Sequence, residues 1–455
     1  MTALKTRVID EKIIEEVKSS INEKNENYIL KLFDDLRAAD LADLIEHLEP
    51  DERLYLFDLL EPEGAGEVLV EINPPVQESI INELDNKAIS DIVQELESDD
   101  AADIVGYLPS DRAKEIIGTL KENVSEDLEK LLPYGDDTAG GIMALEYVAV
   151  KDYFTVHEAI EKIREKREEV INLYHLWVIN ESGVLVGLLS LKDLVIEPPE
   201  KRISEIMNPE VISVNVRMDQ EEVANLFRKY DLVSIPVVDD YNRLVGRITH
   251  DDIIDVIEEE ADEDISLMAG LAHQEITEDS PFKISRARLP WLLAGFTGEL
   301  IAAFVLNRFE TSLEKVIALA FFLPIIMAMA GSTGTQAATV AVRGLATGDM
   351  GVVNIWKRLW IEMRVGLGNG IVCGALLGII VWLWLSDYRL GIVIAMALMI
   401  IVLLSGSIGA AVPLVLKKRN IDPALATGPF VTTLNDVLGL LIYLSFVTIF
   451  LRHTA

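Results

Sequence analysis

Through the first 132 residues apolar positions recur at three- and four-residue spacing with few β-branched alternations, which predicts a run of amphipathic helices. A repeat runs through this pattern: Asp43-Leu44-Ile45, Glu67-Val68-Leu69 and Asp91-Ile92-Val93 fall 24 residues apart. Leu48, Ile72 and Leu96 keep step, and Pro50 and Pro74 mark turns. One helical hairpin per repeat, stacked as a short superhelix, fits that period. From 143 to 258 the pattern shortens to β-rich runs, His175-Leu176-Trp177-Val178-Ile179 and Ser234-Ile235-Pro236-Val237-Val238, each followed by a polar turn and a second strand. After residue 288 it changes again, to five long apolar runs at about 289–307, 316–342, 360–385, 390–416 and 424–451. The second and fourth contain no Asp, Glu, Lys or Arg, and each run is long enough to cross a bilayer.

Charge divides the chain at the same place. Residues 1–282 carry 26 Lys and Arg against 67 Asp and Glu, a balance of −41, and residues 283–455 carry 14 against 8, or +6. The overall −35 excludes a protein built to hold nucleic-acid phosphates and points to a cationic partner. The one cysteine, Cys373, lies in an apolar run, so no disulfide framework or cysteine-rich zinc site is expected. The opening Met-Thr-Ala-Leu-Lys-Thr has no charged-then-apolar leader, and the amino-terminal part is expected to stay in the cytoplasm. Basic residues flanking the spans agree. Lys283, Arg286, Arg288, Arg343, Lys357, Arg358, Lys417, Lys418 and Arg419 lie on one side, against Arg308, Lys315, Arg389 and Arg452 on the other. Nine against four puts the N-terminus inside, and five spans then put the C-terminus outside.

Each β-rich unit closes in the same way, with Gly187-Leu188-Leu189-Ser190-Leu191-Lys192-Asp193 in the first and Gly246-Arg247-Ile248-Thr249-His250-Asp251-Asp252 in the second. This doubled G-x-x-[ST]-x-x-D at a strand-to-helix junction resembles the tandem cystathionine-β-synthase (CBS) domain. On that reading Gly allows a tight turn, the hydroxyls of Ser190 and Thr249 sit where helix N-terminal amides face an anion, and Asp193 and Asp252 reach the ribose of an adenine nucleotide. The same residues also suit ordinary N-caps with first-turn carboxylates.

Directly after the second unit, Asp255 to Asp264 holds seven carboxylates in ten residues. Charges so close repel until cations neutralise them, which makes the segment a candidate divalent-cation sensor; a solvated helix face is the plainer alternative. Magnesium keeps several of its waters and uses one or two carboxylates per ion, so loose carboxylate pairs suit it. Within the spans Asp436 is the sole charged residue between 424 and 451, where an ionised Asp costs about 3 kcal/mol. Ion coordination would offset that cost, as would a structural hydrogen bond. Gly428-Pro429 upstream interrupts the helix and frees carbonyls, which membranes tolerate beside protein or a water-filled path. Glu299, the acid in span one, could pair with Arg364 or cap a neighbouring helix.

The order of these parts resembles the MgtE family of magnesium channels over almost the whole chain. The likeness rests on Asp137-Thr138-Ala139-Gly140-Gly141-Ile142-Met143 before the first CBS-like unit. It rests also on Ala330-Gly331-Ser332-Thr333-Gly334-Thr335-Gln336 in span two, and on Asp422-Pro423-Ala424 with Gly428 through Asp436 in span five. It implies a multidomain membrane protein: an all-α superhelical domain (1–132), an α/β tandem CBS module (133–199 and 200–258), an acidic connecting helix (259–282) and a five-helix transmembrane domain (283–455). It further implies a transport protein rather than an enzyme, a homodimer in the cytoplasmic membrane with its pore on the twofold axis. Asp436 would bind hydrated magnesium, helped by Thr432 and Gly428. Regulatory magnesium would be held by Asp219, Glu221, Asp231, Asp252, Asp255, Glu260, Glu263 and Asp264, facing Asp99 and Asp103, with the connecting helices as a plug and ATP as a modulator. Two positions depart from the family pattern in the pore region: Ser332 stands where Asn is usual, and Gly428 where some members carry a polar side chain. The competing readings are a carrier coupling another divalent cation to protons or sodium, and a membrane-anchored nucleotide sensor that transports nothing; the second leaves Asp436 unexplained.

Overall fold

The computed structural model describes residues 9–166, 173–271, 281–347, 355–419, 421–426 and 428–454. The chain divides into two units, one ending at Ile257 and the other starting at Glu258.

The first unit opens with ten short helices among the described residues: α1 (Glu11–Asn22), α2 (Glu26–Asp35), α3 (Ala38–Glu46), α4 (Pro50–Phe57), α5 (Pro62–Val70), α6 (Pro74–Glu83), α7 (Asn86–Val93), α8 (Ser98–Gly106), α9 (Ser110–Ile117) and α10 (Glu122–Leu131). The 24-residue repeat is real in three dimensions. Helices α3, α5, α7 and α9 stack in succession, while α4 packs on α6 and α8 on α10. Leu44, Val68 and Ile92 occupy equivalent buried positions, and Ile116 extends the series to a fourth copy. Pro50, Pro62 and Pro74 each start a helix, where the missing N–H costs nothing.

The CBS pair is a duplication visible in its register. Strand β1 (Ala149–Lys151) runs parallel to β2 (His175–Ile179), which pairs antiparallel with β3 (Leu185–Ser190). Strands β4 (Val214–Asn215), β5 (Ser234–Val238) and β6 (Leu244–Thr249) repeat the order and the same late irregularity in the hairpin. Helices α11 (Val156–Glu165), α12 (Leu191–Ile196), α13 (Ile203–Ile206) and α14 (Gln220–Tyr230) complete the pair, and α15 (His250–Ala269) leaves it.

The motif glycines need a correction. Gly187 and Gly246 lie inside β3 and β6, not in a turn. What they permit is close approach of a methionine: a Cβ on Gly187 would stand 2.6 Å from the Met207 sulfur, and one on Gly246 2.7 Å from that of Met143.

The second unit holds five helices long and apolar enough to span a membrane. They are α16 (Pro281–Arg308); a 3₁₀ turn (Ile317–Phe322) continuing into α18 (Leu323–Ala346); α19 (Ile355–Leu385); α20 (Tyr388–Lys417); and α21 (Pro429–Thr454). A short α17 (Glu310–Lys315) follows the first. Span five therefore begins at Pro429, with residues 424–426 forming a separate 3₁₀ turn, because Pro429 supplies the first helical position and no N–H to the turn before it. Helices α19 and α20 meet along Gly366, Gly370, Gly374 and Gly378, where any Cβ would stand 2.6–2.9 Å from an α20 backbone atom. Tyr443, fully buried, donates to the Leu319 carbonyl at 3.0 Å and ties α21 to the 3₁₀ turn.

Candidate divalent-cation sites

The first unit gathers carboxylates where α8 meets the start of α15. Helix α8 begins Glu97-Ser98-Asp99-Asp100, which puts the acids in the first turn, where helix amides favour negative charge. Ser98 then links to the CBS pair: its hydroxyl donates to Glu146 at 2.7 Å and accepts from the Leu145 N–H at 2.8 Å. Asp99 is only 8% exposed. Burial pushes its carboxyl well above the usual carboxylate range, and the negative charges of Asp100, Asp252, Glu97 and Glu146 push it further. Burial, with Asp252, Asp103, Glu97 and Asp255, raises Asp100 to about 7. Glu97 and Asp252 are raised by burial too, although Arg247 works against this in both.

Among the described residues the cation built into this group is Arg247, almost fully buried on β6 and paired with Glu97 at 3.1 Å. Seven carboxylates, Glu97, Asp99, Asp100, Asp103, Glu146, Asp252 and Asp255, thus share one guanidinium. Such a group stays compact when protons or cations neutralise it. Among the described residues no three acids or imidazoles converge as direct ligands of a bare ion.

Of the regulatory acids that the resemblance implies, Asp99, Asp103, Asp252 and Asp255 fall within this charged group. Asp219 caps the N-terminus of α14, accepting from the Glu221 N–H at 2.9 Å, while Asp231 ends that helix in the left-handed conformation. Eleven residues of helix, about 16 Å, lie between the two. Glu260, Glu263 and Asp264 lie in the second unit, half-buried on one face of α15 at i, i+3 and i+4 spacing. Residues 272–280 of the expected connecting helix lie outside the described residues. Sequence reasoning missed Glu97, Asp100, Glu146 and Arg247; the consecutive Asp99-Asp100 in a first turn was the available signal.

The two CBS motifs differ. Thr249 turns inward, its hydroxyl and N–H both donating to one Asp252 oxygen at 2.9 and 2.8 Å, so Asp252 caps α15 and faces the acids of α8. Ser190 accepts from the Asp193 N–H at 3.4 Å, an N-cap at the long limit, and both residues are half-exposed.

In the second unit α21 carries Asn435 and Asp436 into a crossing with α18, α20 and α16 that glycines make possible. A Cβ on Gly334 would stand 1.9 Å from the Asn435 amide nitrogen, and one on Gly409 would stand 2.2 Å from the Gly334 carbonyl. Asp436 is 8% exposed and Asn435 wholly buried, yet among the described residues neither amide atom of Asn435 nor Oδ1 of Asp436 has a hydrogen-bond partner. Buried polar groups in that state mark a place for water or an ion. Thr432 lies one turn before Asp436, its hydroxyl 3.5 Å from both the Gly428 carbonyl and the Thr335 hydroxyl. Gly428 itself packs against the end of α15, where a Cβ would meet the carbonyls of Leu267 and Met268 at 3.4 Å. Among the described residues no ion pair joins Glu299 to Arg364. Asn435, beside Asp436, is a second intramembrane polar residue that the sequence makes visible.

A helical array and a CBS pair, set before a five-span bundle with an unpartnered buried carboxylate, define a divalent-cation transport protein with attached sensor domains. Comparison with known proteins agrees. A family model described as a divalent cation transporter, MgtE, matches residues 323–446; the MgtE intracellular N domain matches 36–137, and the CBS domain matches 139–199 and 203–259. The chain is 37% identical to the magnesium transporter MgtE of Thermus thermophilus over 96% of its own length and 98% of that protein's. It is 39% identical to the magnesium transporter MgtE of Bacillus subtilis over 72% and 73%. A crystal structure of the cytosolic domain of the Mg2+ channel MgtE in complex with ATP superposes with a TM-score of 0.51 at 33% identity, covering 53% of this chain and 99% of that one. The chain belongs to the MgtE family.

Proposed function

We propose that this protein moves magnesium across the membrane through a pore lined by Asp436, and that magnesium on the side of the amino-terminal unit closes it. The observation that carries the reading is the Asp436 carboxylate, buried in a membrane bundle with an oxygen that no protein group satisfies. A side chain so costly to bury is retained where an ion passes. Asp436 supplies the charge, and the Thr432 hydroxyl accepts a hydrogen bond from the ion's water shell.

Residues 1–132 and 133–258 serve as the sensor, 259–282 as the connecting plug and 283–455 as the pore. The carboxylate group around Asp99, Asp100 and Asp252 holds regulatory magnesium. Since ions bind the compact arrangement better than a separated one, they shift the population toward it. The packing of Gly428 against the end of α15 supports a closing role for that helix. The protein acts as a homodimer with the pore on the twofold axis, its N-terminus cytoplasmic and its C-terminus outside, in keeping with the nine-to-four distribution of flanking basic residues.

Adenine nucleotide binds on the Ser190–Asp193 side. Asp252 is engaged by Thr249 and surrounded by acids, which repel a polyphosphate. Magnesium uptake into liposomes tests the central assignment: Asp436→Ala abolishes uptake while nucleotide binding persists, and uptake at the wild-type rate in that variant overturns the pore.

A further inference from the structure

A second polar feature of the membrane unit lies away from Asp436. Between α18, α19 and α20 is a cavity of about 300 Å³, the low end of the range for ligand sites. Thr333, Gln336 and Asn369 line it, with Arg358 and Glu362 toward the start of α19 and Val340 on the α18 side. Gln336 and Asn369 are exposed on spans that otherwise present apolar side chains, and membranes tolerate such groups beside water or a polar ligand.

Charge selects among ligands. Glu362, 8% exposed, is already matched by Arg358, whose Nη2 donates to it. A guanidinium has five N–H donors, and the Arg358 Nε–H, buried, has no acceptor. Arg343 at the end of α18 and Lys357 beside Arg358 in sequence are exposed, so among the described residues these two span ends carry more cations than carboxylates. The missing partner is an anion.

Depth then says what carries the anion. Arg358 is the fourth residue of α19, about 5 Å from its start, flanked by Trp356 and Trp360, which are 84% and 60% exposed. Exposed indoles at a span end mark the headgroup level of a bilayer, and basic pockets between spans at that level suit phosphate headgroups.

We infer that this cavity is a binding site for the phosphodiester of an anionic phospholipid, held by Arg358 with Lys357, its acyl chains following the exposed apolar face of α19. The site rests on the spans lying in a bilayer and is independent of the role given to Asp436.

The test is lipid retention by the full chain, measured by native mass spectrometry in detergent with dioleoylphosphatidylglycerol, dioleoylglycerol or inorganic phosphate added. The wild type should retain the phospholipid about tenfold more than the diacylglycerol, the effect of one charge-assisted hydrogen bond. Val340→Trp fills the cavity mouth without touching the ion pair, and Arg358→Gln with Glu362→Gln removes the cation without stranding a charge. Both should lose the preference, while inorganic phosphate should not displace the lipid. Equal retention of the two lipids by the wild type overturns the site, a measurement that needs no variant to fold. A preference that survives in folded variants overturns it also. Displacement by inorganic phosphate overturns the lipid assignment in favour of a free anion.

Discussion

At the scale of single residues, two carboxylate settings do different work with the same group. Oδ1 of Asp436 has no hydrogen-bond partner among the described residues, whereas Asp99, Asp100 and Asp252 are buried among other acids that make ionisation costly. The second setting predicts a pH dependence whose sign is fixed. Folded-state values raised above the ordinary carboxylate range mean the folded chain binds more protons than the unfolded one. The resulting stability is present at low pH and is lost as pH rises through about 7, where Asp100 titrates. With magnesium chelated, the thermal midpoint should therefore fall between about pH 5 and about pH 8, and saturating magnesium should flatten the fall by replacing the protons. A midpoint that rises with pH in chelator contradicts the acidic-cluster account. At Asp436, replacement by Asn keeps the shape and removes the charge. Magnesium flux in liposomes should drop at least about a hundredfold, as expected when an ion loses a contact worth about 3 kcal/mol.

Elements show how much the sequence reveals and where it stops. The 24-residue spacing was readable because each copy repeats the same buried positions, Leu44, Val68 and Ile92. A fourth copy, Glu115-Ile116-Ile117 with Leu120 in step, keeps the same spacing and is legible in the sequence too, although no proline marks its turn. Strands β2, β3, β5 and β6 follow from β-branched runs. Strands β1 and β4, three and two residues long, carry too few positions for any alternation to register and exist through parallel pairing with β2 and β5. The membrane spans were plain from length alone, but the glycine faces joining α19 to α20 are a tertiary fact. Of the candidate cation sites, the acids on α15 and α8 were legible in the sequence. Glu146 and Arg247 were not, because they reach the group from the segment before β1 and from β6 rather than from neighbouring positions.

Two tests belong to this scale. Gly409→Leu drives a side chain into the Gly334 carbonyl and should destabilise the bundle by at least about 2 kcal/mol, read as a lower thermal midpoint in detergent with magnesium present. Asp193→Ala should abolish ATP binding by calorimetry and leave the magnesium-dependent stabilisation intact, and Asp252→Asn should do the reverse. Loss of ATP binding in Asp252→Asn alone would move the nucleotide to the second motif.

For the whole molecule, the account is one of differential binding. Magnesium closes the pore only if it binds the compact sensor better than the open one, and a tenfold ratio per site corresponds to about 1.4 kcal/mol. Limited proteolysis reads the conformational half. The 258–282 segment should be protected when magnesium is present, and protection should no longer depend on magnesium when Asp255, Glu260, Glu263 and Asp264 are all amides.

Both halves meet in one measurement, magnesium flux through the purified protein in liposomes as magnesium is varied on the side of the amino-terminal unit. Flux should be present in the wild type at low magnesium on that side, fall at least about tenfold as it rises, and be absent at every concentration in Asp436→Ala. A wild-type flux that does not respond to magnesium on that side, or an Asp436→Ala variant that conducts, contradicts the account.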